Sequence, residues 1–186
     1  NAESLGAEVL HHRCNRGKGE AIKTGIAHVS RYLPEADFLI TVDSDGQHRI
    51  DDVLSLAAAA ASSPDTLILG TRDLKNAGIP KKSRVGNSIS SLYFRFLTRT
   101  RCGDTQTGLR VIPRSLFEIA LITPGSRYDY EMNFLIKIAR GKNPLQFVPI
   151  HTIYLNNNEN THFRPFRDSL LFFKEPLRFL TASLSS

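Results

Sequence analysis

The chain has 186 residues, of which 41% are hydrophobic and 23% are charged. This composition is sufficient for one folded domain with a sizeable core, and it excludes a disordered or low-complexity chain. Lys and Arg outnumber Asp and Glu by 24 to 18, which gives a formal net charge of +6. An anionic partner is therefore expected, whether a nucleic acid, an anionic lipid surface or a phosphorylated substrate.

Cysteine usage and hydropathy narrow the class of protein further. Cys14 and Cys102 are far apart, so they predict neither a disulfide framework nor a structural zinc site and fit a reducing compartment. No stretch approaches the roughly 20 apolar residues of a membrane-spanning helix. Because the chain begins with Asn1 rather than Met and ends abruptly at Ser186, we expect it to be part of a longer protein.

The predicted elements alternate between strands and helices. In chain order the apolar spacing predicts a β-like segment at 7–12, a glycine loop and a helix over 21–29, a strand at 38–42, a helix at 51–61, a strand at 66–69, a basic helix at 83–100, a strand at 109–112, helices at 115–122 and 130–139, and a β-rich run at 146–154. This alternation predicts an α/β sandwich with a mostly parallel central sheet.

An acidic motif follows the strand at 38–42. Asp43, Asp45 and Gln47 alternate directly after an apolar run that is typical of a strand buried on both faces. Two carboxylates one residue apart on an extended segment can face one side, where a divalent cation accepts oxygen ligands and bridges substrate phosphates. An acidic turn before the next helix is the alternative. A calcium loop is excluded, because Leu54 stands where a bidentate Glu should close it.

Three other segments carry groups that are either functional or structural. The Gly17–Gly19 loop opens a helix, where Lys18 and backbone N–H groups could meet phosphate oxygens, or it forms an ordinary tight turn. Asp104 could act as a general base or cap a turn. The carboxylates of the 128–131 segment open another helix, where they serve as caps or as functional groups.

Three arginines complete the set of candidate residues. The guanidinium groups of Arg72, Arg84 and Arg110 could pair bidentately with phosphates, and solvated or structural roles are the alternative.

The order of these motifs resembles that of family 2 inverting glycosyltransferases with the GT-A fold. The branch that is most similar contains dolichyl-phosphate mannose synthase and the bacterial polyprenyl-phosphate glucosyltransferases, and the resemblance extends from about residue 8 to residue 168. It depends on the glycine loop at 17–19, the Asp-Ser-Asp-Gly-Gln-His run at 43–48, Gly-Thr-Arg at 70–72, Asp-Thr-Gln-Thr-Gly-Leu-Arg at 104–110 and Tyr-Asp-Tyr-Glu at 128–131.

The resemblance implies a donor site that contains a metal ion. Asp43, Asp45 and Gln47 match the residues that hold Mg²⁺ or Mn²⁺ against the diphosphate of a nucleotide sugar. Lys18 and Arg110 are expected to bind the same donor, together with the two aspartates.

The resemblance also implies an acceptor site. Arg72 and Arg84 are expected near the donor or acceptor phosphates. Asp104 matches the acidic residue that faces the acceptor, and it is expected to orient the acceptor, because a lipid phosphate is already ionised and needs no strong base.

The expected reaction is the transfer of one hexose, with inversion, from a UDP- or GDP-sugar to a polyprenyl phosphate of the undecaprenyl or dolichyl type. A soluble or cell-wall glycan acceptor and a non-catalytic sugar-nucleotide-binding module are the alternatives. Nucleic acid is not an expected partner, because no recognised binding motif accompanies the positive charge. The expected location is the cytoplasmic face of the membrane, and a homo-oligomer is left open.

Two regions are expected to differ in role. Residues 1–161 are predicted to form a partial catalytic domain. The family's first strand–helix unit, which supplies the contact to the nucleotide base, is expected to precede residue 1 and is missing from this sequence. Residues 162–186 are predicted to form a basic amphipathic helix on the membrane surface, or else a terminal helix packed on its own domain. The processive-synthase signature Gln-x-x-Arg-Trp is absent, since the chain has no Trp.

Overall fold

A computed structural model of the chain describes residues 2–73 and 81–151. The segment predicted to lie on the membrane surface, 162–186, falls outside the described residues, as does the boundary predicted at residue 161.

The described chain alternates between helices and strands, as the apolar spacing predicted. Its elements are α1 (Lys18–Tyr32), β1 (Phe38–Thr41), α2 (Ile50–Ser62), β2 (Leu67–Arg72), α3 (Lys81–Thr98), β3 (Arg110–Pro113), α4 (Phe117–Ile122), α5 (Asp129–Arg140) and β4 (Leu145–Ile150), with short 3₁₀ turns at Glu3–Leu5 and Arg114–Leu116. Residues 7–12, predicted to be β-like, form no strand. Most of them are exposed, and no described strand pairs with them, so their backbone has no ladder to join.

The four described strands form a mixed sheet in the order β1-β3-β2-β4. β1 and β2 each pair antiparallel with β3, whereas β2 pairs parallel with β4. Three of these four strands, β1, β2 and β4, therefore run in the same direction, as expected for a mostly parallel sheet. The pairing differs from the prediction, because β3 inserts in the opposite direction between β1 and β2. An apolar strand pattern reports burial on both faces but not direction.

Helices cover both faces of the sheet, and β2 shows how. Leu67 and Leu69 join a large core cluster with residues of α1, α3, α4 and α5, whereas Ile68 joins a smaller cluster beneath α2. All three side chains are fully buried. Successive residues of a strand point to opposite faces, so the apolar run of β2 contributes side chains to the core on both faces of the sheet. The predicted α/β sandwich is confirmed.

The last described strand is tied to the start of α2. Asp52, which is 3% exposed, accepts a hydrogen bond from the main-chain N–H of His151 at 3.1 Å, and its second oxygen lies 2.9 Å from Nδ1 of the same residue. The carboxyl end of β4 is thereby fixed beside the first turn of α2.

The segment before β3 passes very close to the end of β1. Thr41 Oγ1 donates a hydrogen bond to the carbonyl oxygen of Gly108 at 2.8 Å. A Cβ added to Gly108 would lie 2.0 Å from Oδ2 of Asp43, which is far inside van der Waals contact. The carboxylate of Asp43 occupies the space that the missing Cβ leaves, so a side chain at position 108 would displace that carboxylate.

We predict that Gly108→Ala lowers the free energy of unfolding by about 1–3 kcal/mol, because the new methyl group overpacks this crossing. Gly103→Ala is the matched control, since a Cβ at Gly103 meets nothing within 4 Å. Chemical denaturation monitored by circular dichroism measures both variants. Equal stabilities for the two variants would contradict the crossing.

Candidate active site

Three elements bring one base and two acids together at the carboxyl end of β1. Lys18 is the first residue of α1, Asp43 follows β1, and Glu131 lies in the first turn of α5. Lys18 Nζ lies 2.7 Å from Asp43 Oδ1 and 3.0 Å from Glu131 Oε2. The lysine therefore bridges two carboxylates from different parts of the chain.

The glycine loop makes this bridge possible. Gly17, with φ at +92°, begins α1, and a Cβ there would lie 2.4 Å from the carbonyl oxygen of Ser126. A Cβ on Gly19 would lie 2.5 Å from Cβ of Tyr130. Both glycines thus allow the start of α1 to pack directly against the segment that begins α5. The tight turn and the placement of Lys18 are one structural feature, whereas the sequence presented them as alternatives.

The electrostatics of the bridge favour charged groups. Burial alone would raise the pKa of Asp43, but His48 and Lys18 outweigh this effect and hold that pKa well below its usual range. Burial alone would lower the pKa of Lys18, yet Glu131 and Asp43 together raise it. His48 Nε2 lies 4.0 Å from Asp43 Oδ2, which is too long for a hydrogen bond, so His48 is a neighbour of the cluster.

A second ion pair lies at the end of β2. Asp104 is fully buried and receives Nε and one terminal nitrogen of Arg72 at 2.6 and 3.0 Å. The main-chain N–H of Gln106 also donates to Asp104 at 3.2 Å. Asp104 therefore caps a turn and fixes the guanidinium of Arg72. Its predicted orientation of the acceptor stays a prediction, and in this arrangement it would act through Arg72.

Arg110 serves the framework of the site. It is 2% exposed, and its guanidinium donates to the carbonyl oxygens of Thr107, Glu131 and Thr105 at 2.9, 2.8 and 3.1 Å. These contacts support the backbone beneath Lys18 and leave no face of the guanidinium turned toward solvent. The direct donor contact predicted for Arg110 stays a prediction, and it would require these bonds to open.

Asp45 and Gln47 lie on the turn after β1. Asp45 is exposed, and one of its oxygens accepts the main-chain N–H of Gln47 at 3.0 Å. The donor set of Asp43 and Asp45 suits Mg²⁺, which usually keeps several waters and takes one or two carboxylates together with substrate phosphates. Among residues 2–73 and 81–151, no group of three or more His, Cys, Asp or Glu side chains could hold a metal. Asp43 and Asp45 by themselves therefore supply two carboxylates, which is the number that Mg²⁺ takes when substrate phosphates complete its coordination.

Arg84 lies apart from the Lys18 bridge, on α3. It borders an open groove of about 450 Å³ between α3 and the 101–103 loop. The groove is lined by Arg84, Asn87, Ser88, Ser91, Leu92, Arg95, Arg101, Cys102 and Gly103. Asn87 fixes its floor by donating to the carbonyl oxygen of Gly103 at 2.7 Å. We call this feature the α3 groove.

Sequence reasoning missed two features of the site. It left Glu131 open between a helix cap and a functional group, and nothing in its spacing indicates a lysine from α1. It also singled out Arg84 without Arg95 and Arg101. Arg84 and Arg95 are eleven residues apart on α3, which is three helical turns, so that periodicity was the available signal.

The chain is similar to a known protein family and to several known proteins. Residues 1–120 match the family model described as glycosyl transferase family 2. The chain is 32% identical over 163 residues to an uncharacterized protein of Methanocaldococcus jannaschii, covering 82% of this chain and 64% of that protein. No solved structure matches the chain.

Two named relatives extend the comparison. The chain is 29% identical over 150 residues to the UDP-N-acetylglucosamine–dolichyl-phosphate N-acetylglucosaminyltransferase of Methanococcus voltae, covering 78% of this chain and 59% of that protein. It is 25% identical over 181 residues to the glycosyltransferase AglJ of Haloferax volcanii, covering 95% and 57%. The chain therefore spans about three fifths of the length of these relatives.

The family match covers the segments that build the Lys18 bridge from α1 and β1, as well as Arg72 and Asp104. No described helix has the length and apolar character needed to cross a membrane. The family predicted from the order of the motifs is confirmed: the chain belongs to glycosyl transferase family 2.

Proposed function

We propose that this protein transfers a sugar from a nucleoside-diphosphate sugar to a polyprenyl phosphate at the surface of a membrane. The observation that carries the proposal is the position of the α3 groove, which is rich in arginine, directly beside an exposed apolar face of the same helix. A phosphate joined to a long hydrocarbon chain is the acceptor that suits both.

The exposed face runs along most of α3. Val85, Ile89, Leu92 and Phe96 recur at spacings of four, three and four residues, so they lie on one side of the helix. Their exposed fractions are 59, 52, 68 and 80%. A continuous apolar stripe of this kind is typical of an interaction site. The adjacent positive charge favours an anionic lipid surface over an apolar protein partner.

The α3 groove supplies the matching phosphate site. Arg84, Arg95 and Arg101 border it, and arginine pairs bidentately with phosphate oxygens. Leu92 belongs both to the groove and to the apolar stripe. An acceptor phosphate in the groove would therefore have its hydrocarbon chain beside the stripe.

The groove is directly connected to the donor side of the site. Gly103, which lines the groove, precedes Asp104, which holds Arg72. Gln106 Nε2 also donates to Ser90 Oγ of α3 at 3.1 Å. Asp43 follows the carboxyl end of β1, and Arg72 is the last residue of β2, which runs in the same direction; ligands of α/β sheets bind at such ends.

The chemistry needs few groups from the protein. An ionised phosphate oxygen is already a nucleophile, so the burial of Asp104 against Arg72 removes nothing that the reaction requires. A divalent cation at Asp43 and Asp45 would stabilise the negative charge of the departing nucleoside diphosphate. Lys18 and Arg72 would add fixed positive charge near the same group.

The relatives and the thiols agree with this proposal. One relative is named for transfer of N-acetylglucosamine to dolichyl phosphate, which supports the class of acceptor. Cys14 and Cys102 are both free thiols, as in a reducing compartment. The cytoplasmic face of the membrane is the location that we propose for the reaction. The hexose and the nucleotide base are left to the following experiment.

The direct test incubates the full-length protein with radiolabelled UDP- and GDP-sugars, polyprenyl phosphate and either Mn²⁺ or a chelator. We expect a labelled, organic-soluble product that requires the metal. Asp45→Ala should lower turnover about 100-fold, because it removes a carboxylate from the cation. Asp51→Ala, which changes an exposed acid six residues away, is the matched control. Absence of lipid product with every donor, or label transferred to a soluble glycan instead, would contradict the proposal.

The acceptor site has its own test. We expect Leu92→Ser with Phe96→Ser to raise the KM for polyprenyl phosphate about tenfold while leaving the KM for the donor sugar unchanged, because apolar contact with the lipid is lost. Arg95→Ala with Arg101→Ala should also raise the KM for polyprenyl phosphate alone, because contacts with the acceptor phosphate are lost. Ile50→Ser with Leu54→Ser is the control, since these α2 side chains are 78 and 62% exposed. A rise in donor KM instead would place the lipid elsewhere.

A further inference from the structure

One of the two carboxylates of the Lys18 bridge, that of Glu131, has no proposed role in binding the metal or the sugar donor. Asp43 belongs to the predicted metal site, whereas Glu131 comes from α5, outside the acidic motif. Both lie within 3.0 Å of Lys18 Nζ. A lysine beside the predicted cation site is therefore also paired with a second acid, which is more deeply buried.

The two carboxylates differ in burial. The side chain of Asp43 is 33% exposed and lies on the loop after β1, whereas the side chain of Glu131 is 10% exposed. A cation that arrives from solvent reaches Asp43 more easily than Glu131. Lys18 therefore has one accessible partner and one protected partner.

The backbone of the protected partner is anchored independently of Asp43. The carbonyl oxygen of Glu131 accepts a hydrogen bond from Arg110 at 2.8 Å, and Glu131 Oε1 lies 3.8 Å from Arg110 Nε. Oε1 is buried, and no described residue forms a hydrogen bond with it. Arg110 also donates to the carbonyl oxygens of Thr107 and Thr105, so the backbone of Glu131 is anchored to a fixed side chain, and its carboxylate keeps Arg110 as a cationic neighbour when the partners of Asp43 change.

The charges in this cluster are balanced before any ligand arrives. Lys18 and Arg110 are positive, and Asp43 and Glu131 are negative. A divalent cation at Asp43 would be repelled by a lysine that still pairs with the same carboxylate. Lys18 must therefore release Asp43 for the cation to bind, and a mobile lysine without a second partner would leave the site.

We propose that Glu131 is a positioning residue, which keeps Lys18 in the site while Asp43 exchanges Lys18 for the cation and its donor diphosphate. This inference rests on the proposed function. Before binding, Lys18 is the counter-cation of Asp43. After binding, the ammonium group stays paired with Glu131, beside the incoming diphosphate, and contributes to its binding. Lys18 thus competes with the cation alone but assists the cation when it arrives with a nucleotide.

A purely structural role for Glu131, as the counter-charge of buried Arg110, predicts different behaviour. Removal of the acid would then lower stability and leave the affinities of the folded protein for Mn²⁺ and for the nucleotide unchanged. The experiment therefore measures Mn²⁺ alone, and Mn²⁺ with UDP or GDP, on the full-length protein. Mn²⁺ binding is followed by electron paramagnetic resonance and nucleotide binding by titration calorimetry.

We expect opposite effects on Mn²⁺ alone. Lys18→Met should tighten Mn²⁺ binding about threefold to tenfold, because the competing charge is gone, whereas Glu131→Gln should weaken it by a similar factor, because Lys18 then pairs with Asp43 alone. Both variants should weaken nucleotide binding in the presence of Mn²⁺ about tenfold. Glu131→Asp, which keeps the charge, should restore part of the loss and covers the case in which Glu131→Gln does not fold.

The neighbouring pair on α1 supplies matched controls. Lys23 Nζ lies 3.4 Å from Glu20 Oε1, so Lys23→Met and Glu20→Gln make the same charge changes on the same helix. The inference is overturned if Lys18→Met and Glu131→Gln shift Mn²⁺ affinity no more than these controls, or if Lys18→Met weakens the binding of Mn²⁺ alone. Failure of the wild-type protein to bind any nucleotide with Mn²⁺ would overturn the proposed function as well. If the wild-type protein transfers sugar to the lipid but Lys18→Met and Glu131→Gln behave like the controls, only this inference is overturned.

Discussion

The ion pair between Lys18 and Asp43 is the interaction on which the rest of the site depends. It joins the first residue of α1 to the loop after β1, and Glu131 of α5 extends it to a third element. Such a meeting requires three backbones to approach within a side chain's length of one another. Glycine supplies that approach at positions 17 and 19, where a Cβ would lie within 2.5 Å of Ser126 or Tyr130, and Gly108 leaves the space that the carboxylate of Asp43 occupies.

One strand supports both halves of the candidate site. β3 begins at Arg110, which fixes Glu131 through its guanidinium, and the turn before β3 carries Asp104, which fixes Arg72. Because β1 and β2 both run antiparallel to β3, which lies between them, their carboxyl ends lie at the same edge of the sheet. The buried arginine and the buried aspartate therefore act as framework, and the more accessible Lys18, Asp43 and Arg72 are left to meet ligands.

Sequence alone predicted the alternation of elements and the family, since apolar periodicity and motif order are local properties of a chain. It did not predict that β3 runs against its neighbours, because an apolar run reports burial and not direction. It predicted a phosphate contact for Arg110 and left Glu131 open between a helix cap and a functional group. Glu131 contacts Arg110 and Lys18, which lie 21 and 113 residues away, and one sequence does not encode such pairings visibly. The arginines of the α3 groove were missed in part, because Arg101 lies beyond the helix.

The central claim is that Asp43 leaves Lys18 to share a cation with Asp45 and a nucleotide diphosphate. The most direct measurement is anomalous diffraction at the manganese edge from crystals of the full-length protein grown with Mn²⁺ and UDP or GDP. The account predicts one manganese peak in contact with carboxylate oxygens of Asp43 and Asp45 and with the diphosphate, and it predicts Lys18 still paired with Glu131. Bound nucleotide with the Lys18–Asp43 pair intact, or with manganese at another position, would contradict it.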